Sequence, residues 1–459
     1  MFRRLWSGLP ADPHFPADLE KLGYFINEED EIRSIENPDN YFKYFISRNS
    51  RWNDRQRFAM NQAIQNEVHK RLEKLDMKKY LLPIGTKDPS KPHIPIFVSR
   101  DLAFKKRIVV IFGESMQDLG ILAHRILGGA GGINKGSLVS IVSELQKQRT
   151  SSTDPSPPGI ILANMGELIW WPEGKRAISR SAFDNAPAKS AVHNGNLITK
   201  KNMVEGNENS KLHVHYVFDK VIPHFVKDNV GIDIIGVGDG ADYVEQYLDL
   251  PVVWKIWKNR INCLALVGGL QPVWELRSEE FVNEFLKKKA RAYVTCLEPA
   301  GIPLSGPEGN PKTTTFTSLG CPVFSSGEPH YTEVTLIASA GHVLDWLQEV
   351  AMTPEGEDYE NPIFHIAYAD PIQPDDDPDW SKWKDDEVEG EQDDKEEAQI
   401  KIEPEEIGGE GSEEPRLVLV TNPASNQVGE GEKEEDGQKN DDASEKAEEG
   451  GKKGDEDKK

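Results

Sequence analysis

Apolar residues recur at helical spacing through Met60, Ile64, Val68 and Leu72, with Leu75 beyond, and the Asn53-Asp54 pair upstream can cap a first turn. The pattern predicts a helix from about residue 53. Near Pro92 the period changes: Ile94-Pro-Ile-Phe-Val98 reads as a strand, and Lys106-Arg-Ile-Val-Val-Ile-Phe-Gly113 holds the continuous β-branched run of a strand buried on both faces. Leu119, Leu122 and Ile126, then Leu138, Ile141 and Leu145, predict two helices before a strand at Gly159-Ile-Ile-Leu-Ala163. A helix carrying Val214, Val217, Phe218, Val221, Ile222 and Phe225 leads to strands at residues 232–237 and 263–267. A helix over 279–294, strands at 321–324 and 333–337, and a helix beginning near Ala340 complete the pattern, and residues 363–368 are expected to return to the body. Strands alternating with helices predict an α/β fold, a mostly parallel sheet flanked by helices.

Charge divides the chain. Residues 371–459 hold 12 Lys and Arg against 32 Asp and Glu, so they carry −20 of the total −24. This stretch has too little apolar area to offset the entropy of ordering it and is read as a disordered acidic tail. The expected division is an N-terminal, mostly helical extension over 1–92, the α/β domain over 93–370, and the tail over 371–459. The near-neutral body gives no basic footprint, so no direct nucleic-acid binding is expected. Cys263, Cys296 and Cys321 have no C-x-x-C spacing and suit reduced thiols in a cytosolic or nuclear setting. The first residues do not read as a secretory signal, and no run of about 18 apolar residues predicts a membrane span. The eleven histidines show no H-E-x-x-H or paired Cys/His spacing, so neither a metal nor a cofactor is expected.

One motif carries chemistry by its vacancy. Gly236-Val-Gly-Asp-Gly240, between a strand and a helix, matches the G-x-S-x-G nucleophile elbow at both flanking glycines, with Gly238 where the serine should be. Glycine has no group with which to attack a carbonyl. Downstream, Glu328 in Ser325-Ser-Gly-Glu-Pro329 stands at the acid position, and His342, at the start of the last predicted helix, at that of the base. Gly238, Glu328 and His342 therefore read as a vestigial triad. Gly236-Val-Gly-Asp-Gly-Ala241 also fits a dinucleotide fingerprint, but the next strand ends without the acidic residue that would hold a ribose. Trp170, Trp171, Lys175 and Arg176 suit an exposed interface, with tryptophan packed under a surface loop as the alternative, and Lys401 in Ile400-Lys-Ile-Glu403 fits a SUMO-attachment pattern.

Several blocks in order resemble one family. Gly159-Ile-Ile-Leu-Ala-Asn-Met-Gly-Glu-Leu-Ile-Trp-Trp171, Gly174-Lys-Arg-Ala177, Ser190-Ala-Val-His193 and Ile234-Ile-Gly-Val-Gly-Asp-Gly-Ala241 are similar to the fungal Argonaute-binding protein 2 domain. Leu9-Pro-Ala-Asp12, Phe15-Pro-Ala-Asp-Leu19 and Ser34-Ile-Glu-Asn-Pro38 look like its N-terminal region. The resemblance spans roughly residues 1–355. It implies an α/β-hydrolase-like domain used as a noncatalytic scaffold or adaptor, in RNA-mediated gene silencing and heterochromatin formation. The implied partners are Argonaute and other subunits of its chaperone complex, or chromatin factors, in nucleus and cytoplasm. The family's animal version resembles an esterase elbow with serine, and Gly238 departs from it. The alternative is an active esterase-like hydrolase with a displaced nucleophile.

Overall fold

The computed structural model describes residues 8–193, 195–311, 318–364 and 366. The acidic tail, Lys401 and residues 365, 367 and 368 lie outside the described residues. Helix α1, Ser50–Lys74, starts a turn earlier than predicted because Asn49, not Asn53, caps it by accepting the Arg51 N–H. Asn53 ties down the incoming chain instead: its Oδ1 accepts the Ile46 and Ser47 N–H groups and its Nδ2 donates to the Ser47 carbonyl. The predicted stripe of Met60, Ile64, Val68 and Leu72 is buried.

Nine strands form one sheet: β1 Met77–Leu82, β2 Ile94–Ser99, β3 Arg107–Phe112, β4 Gly159–Leu162, β5 Gly231–Val237, β6 Ile261–Val267, β7 Ala290–Val294, β8 Pro303–Ser305 and β9 Val323–Ser325. Their order is β1-β2-β4-β3-β5-β6-β7-β9-β8. The pairs from β4 through β3, β5, β6 and β7 to β9 are parallel, while β2 is antiparallel to both its neighbours and β8 to β9. This is the α/β-hydrolase-like sheet expected from the sequence. The boundary expected at residue 92 is corrected, because β1 pairs with β2 along its whole length and α1 packs into the same core as β3 and β4. The N-terminal segment is part of the sheet domain.

Alternation along the strands builds two cores. Ile108, Val110 and Phe112 face one side, under α3 (residues 210–225), α4 (Asp239–Leu248) and α5 (Pro251–Trp257). Val109 and Ile111 face the other, under α1, α2 (Leu138–Leu145) and α6 (Thr335–Ala351). Each fully buried Ile, Val or Phe stabilises the fold by about 1.5–3 kcal/mol, so a strand apolar on both faces is held from both sides.

The amino ends of the central strands are clamped by a buried ion pair. Arg107 Nε donates to Asp233 Oδ2 at 2.6 Å, and the rest of its guanidinium donates to the carbonyls of Arg149 and Leu347 and to Gln148 Oε1. Asn262 Nδ2 donates to the other Asp233 oxygen. All of Asp233's charge is thereby met by donors, as burial requires.

Two expectations about the second half are corrected. Residues 279–294 are not one helix: the helical turns end at Lys289 and the chain enters β7 at Ala290. Residues 333–337 are not a strand: a 3-10 turn at Thr332–Val334 leads into α6 at Thr335. The helical spacing at Leu119, Leu122 and Ile126 yields a single turn, His124–Leu127, after a loop that folds across the carboxyl ends of the strands. Phe364 packs edge-on against Phe324, the described part of the expected return to the body.

Candidate functional site

β5 ends at Val237 and α4 begins at Asp239, so a single residue, Gly238, makes the strand-to-helix turn at φ +56°, ψ −133°. That left-handed backbone favours glycine. The flanking glycines are needed for packing: a β-carbon at Gly236 would come 2.5 Å from the Ala241 Cα, and one at Gly240 would come 2.3 Å from the Gly113 carbonyl oxygen. The sharp turn of a nucleophile elbow is therefore present without a nucleophile.

The space in front of the turn is filled. The loop leaving β3 brings Glu114 over Gly238, where a β-carbon would lie 2.6 Å from Glu114 Cγ and 2.7 Å from its Oε1. Ser115 donates its backbone N–H to Asp239 Oδ1 at 2.9 Å and its hydroxyl to Asp239 Oδ2. In hydrolases of this fold, an N–H from that loop helps to bind the oxyanion. Here that donor is already engaged by a carboxylate of the same chain. Burial, and then the charge of Asp239, push the Glu114 carboxyl above its ordinary range; burial does the same for Asp242 one turn on. The void beside the turn, lined by Glu114, Leu119 and Val237 among others, measures about 20 Å³, room for about one water. The same crowd of carboxylates opposes a dinucleotide pyrophosphate at the glycine-rich turn.

Among the described residues no hydrogen bond or ion pair joins Glu328 to His342. Glu328 closes its own turn, accepting the N–H groups of His330 at 2.9 Å and Tyr331 at 3.1 Å. His342 is the eighth residue of α6 rather than its start; it is exposed, and its ring lies against Gly301, where a β-carbon would come 2.5 Å from it. The misplacement follows from the strand hidden at 290–294 and the false one at 333–337. With the strands as observed, the loop after β7 carries Glu298 and the loop after β9 carries His330. Both side chains are exposed, and among the described residues no hydrogen bond or ion pair joins them. The loop of His330 is pinned elsewhere: Arg125 stacks 3.6 Å from the Tyr331 ring centroid and pairs with Glu333. Glu114 was legible only as a neighbour of Ser115 in Gly113-Glu-Ser115; nothing in the spacing says that its side chain turns towards residue 238.

Trp170 and Trp171 lie on a two-stranded hairpin, Ile169–Trp171 with Arg176–Ile178, whose alternation sends Trp170 inward. Trp170 is 3% exposed, its ring 4.8 Å from that of His93 and its carbonyl accepting from Asn202 Nδ2. It packs the core, so the expectation of an exposed anchor is corrected there. Trp171 is half-buried, edge-on to Phe58 at 5.7 Å, and Lys175 is exposed at the hairpin tip with φ +50°. Arg176 turns back towards the domain, over the rings of Phe58 and Trp171. Beneath the hairpin, His213 is wholly buried: its Nδ1 bonds Asn207 Oδ1, its Nε2 accepts the Asn164 N–H, and burial lowers its pKa to about 3. Among the described residues no group of three or more His, Cys, Asp or Glu is arranged to hold a metal ion, and no helix is long and apolar enough to cross a membrane.

Among curated proteins, the chain is similar to the Cotranscriptional regulator ARB2A homolog of Xenopus tropicalis, 23% identical over 311 residues that cover 62% of this chain and 71% of that one. The Homo sapiens Cotranscriptional regulator ARB2A is 22% identical over 311 residues, with the same coverage. Among solved structures, an esterase of Pyrococcus furiosus aligns at 10% identity and a TM-score of 0.28, covering 61% of this chain and 91% of that one. The esterase Est22 aligns at 12% identity and the same score, covering 63% and 87%. The sequence profile of the Arb2 domain matches residues 15–300, and the chain belongs to the Arb2 domain family.

Proposed function

We propose that this protein is a noncatalytic adaptor that regulates gene expression in the nucleus by holding protein partners. The observation that carries the reading is the closed elbow: Glu114 fills the place of a nucleophile at Gly238, and Asp239 engages the Ser115 N–H. Without a nucleophile, a free oxyanion donor or an acid–base pair, acyl transfer has no starting point. Membership of the Arb2 domain family and similarity to proteins named as cotranscriptional regulators support the regulatory setting. Within it, the finer reading is Argonaute binding in small-RNA silencing and heterochromatin formation, in nucleus and cytoplasm. Tagged full-length protein recovered from cells and analysed by mass spectrometry tests this. Argonaute or chromatin and transcription proteins are expected, and their absence overturns the reading.

The Ser115–Asp239 pair favours one second reading, a hydrolase whose serine has moved to the loop after β3. Fluorophosphonate labelling that disappears in Ser115→Ala would support it and displace the adaptor. No labelling is expected, because among the described residues no imidazole is hydrogen-bonded to that hydroxyl.

A further inference from the structure

A cavity of about 200 Å³ lies between α1, the loop after β3 and the short helix Arg180–Asn185. Its wall includes two guanidiniums, Arg57 and Arg176. Among the described residues neither forms an ion pair or donates a hydrogen bond. Their contacts are ring faces: Phe42 and Tyr44 at 4.9 and 5.6 Å from Arg57, and Phe58 and Trp171 at 5.5 and 5.8 Å from Arg176. Burial lowers the pKa of both, in Arg176 against the opposing pull of the Glu167 and Asp118 carboxyls, a sign that each charge is partly stripped of water. The acid in the wall, Asp118, is paired with His124 at 3.6 Å.

Asn61 and Gln62 also line the cavity, but their Oδ1 and Oε1, which have no hydrogen-bond partner, are closed off even from water in it. Gln65, 3% exposed, turns its side chain towards the buried carboxyl of Glu167. The spacing explains the arrangement: Arg57, Asn61 and Gln65 stand four apart, so one face of α1 presents them in line. The volume exceeds the roughly 150 Å³ of an apolar cavity that holds benzene, so one small organic molecule fits. The cavity also borders the loop that leaves β3, beside the point where chain order switches from β4 on one side of β3 to β5 on the other. Open α/β sheets bind ligands outside the carboxyl ends of strands at such a switch.

We propose that this cavity binds a small organic oxyanion, its anionic oxygens held by the forks of Arg57 and Arg176. A guanidinium fork matches carboxylate and phosphate alike, so the shared chemistry is the oxyanion, and two probes separate its sources. The full-length protein is titrated with glucose 6-phosphate and with citrate, followed by thermal melting and calorimetry, with glucose as the uncharged control. Saturable binding of one anion, with a rise of about 5 °C in Tm at saturation, is expected, and none with glucose. The winning arm names the source. Arg57→Gln and Arg176→Gln should each weaken binding at least tenfold while far-ultraviolet circular dichroism stays native. Native mass spectrometry of the purified chain reads any ligand already held. A bare mass together with silence from both anions, or affinity unchanged in the Arg variants, overturns the proposal.

Discussion

Glu114 leans over Gly238 so closely that residue 238 cannot gain a side chain without displacing it. Restoring the missing serine is therefore not a matter of one atom. Gly238→Ser should cost roughly 2–3 kcal/mol, from a positive φ and from overpacking against the carboxyl group, read as a lowered Tm. Glu114→Ala added to it should recover part of the loss. Neither variant should be labelled by a fluorophosphonate, since Glu298 and His330 are not bonded to one another. Labelling of the double variant would show that the base is in reach after all.

Not every glycine is needed. Gly240→Ala, whose β-carbon would meet the Gly113 carbonyl oxygen at 2.3 Å, should be among the most damaging substitutions in the chain, about 3 kcal/mol or more. Gly341, inside α6, has open space where its β-carbon would be, so Gly341→Ala should stabilise by about 0.5–1 kcal/mol. Paired urea melts of the two variants check both signs.

Glu167 gives a pH dependence. It is fully buried, and burial first, then the nearby charge of Asp118, push its pKa up from 4.5 to about 7, although the Leu119 N–H donates to it at 3.0 Å. The folded state holds a proton that the unfolded chain releases earlier. Its contribution to stability is therefore full below about pH 4.5 and is lost as pH rises through about 7, a change of roughly 3 kcal/mol at 1.36 kcal/mol per pKa unit. Glu167→Gln keeps the shape and the acceptor for Leu119. Relative to wild type, its Tm should improve between pH 5 and pH 8, and an unchanged difference would remove the buried proton from the account.

Arg107 and Asp233 test the other end of the sheet. Arg107→Met strands a carboxylate that is 1% exposed and should cost about 3–5 kcal/mol. Arg107→Met with Asp233→Leu should recover most of this by removing both charges. Thermal melts of the two separate the cost of an unpaired charge from the worth of the pair.

Strands β3, β4, β5 and β6 were legible because they lie between two layers and consist of near-continuous apolar runs, which few other environments permit. β7 was not. Phe281, Phe285 and Leu286 set a helical rhythm that Lys287 to Lys289 do not interrupt, and Arg291 then breaks the apolar run of a short strand. Val334, Thr335 and Ile337 are β-branched, yet α6 forms there because packing of Leu336, Val343, Leu344 and Leu347 outweighs local propensity. These two errors moved the third triad position from the loop of His330 to His342. The vacancy at Gly238 was readable from the motif alone. Its occupation by Glu114 was not, since that depends on the rotamer of one residue in an irregular loop. The polar cavity left a trace in the spacing of Arg57, Asn61 and Gln65, but its remaining wall comes from segments far apart in sequence.

The hold of Ser115 on Asp239 has a mechanical consequence. Where an open elbow leaves the loop after β3 free to move as substrate comes and goes, here that loop is stitched to the first turn of α4 through both oxygens of one side chain. A pull on either segment is passed to the other, so the loop and the first turn of the helix move as one piece.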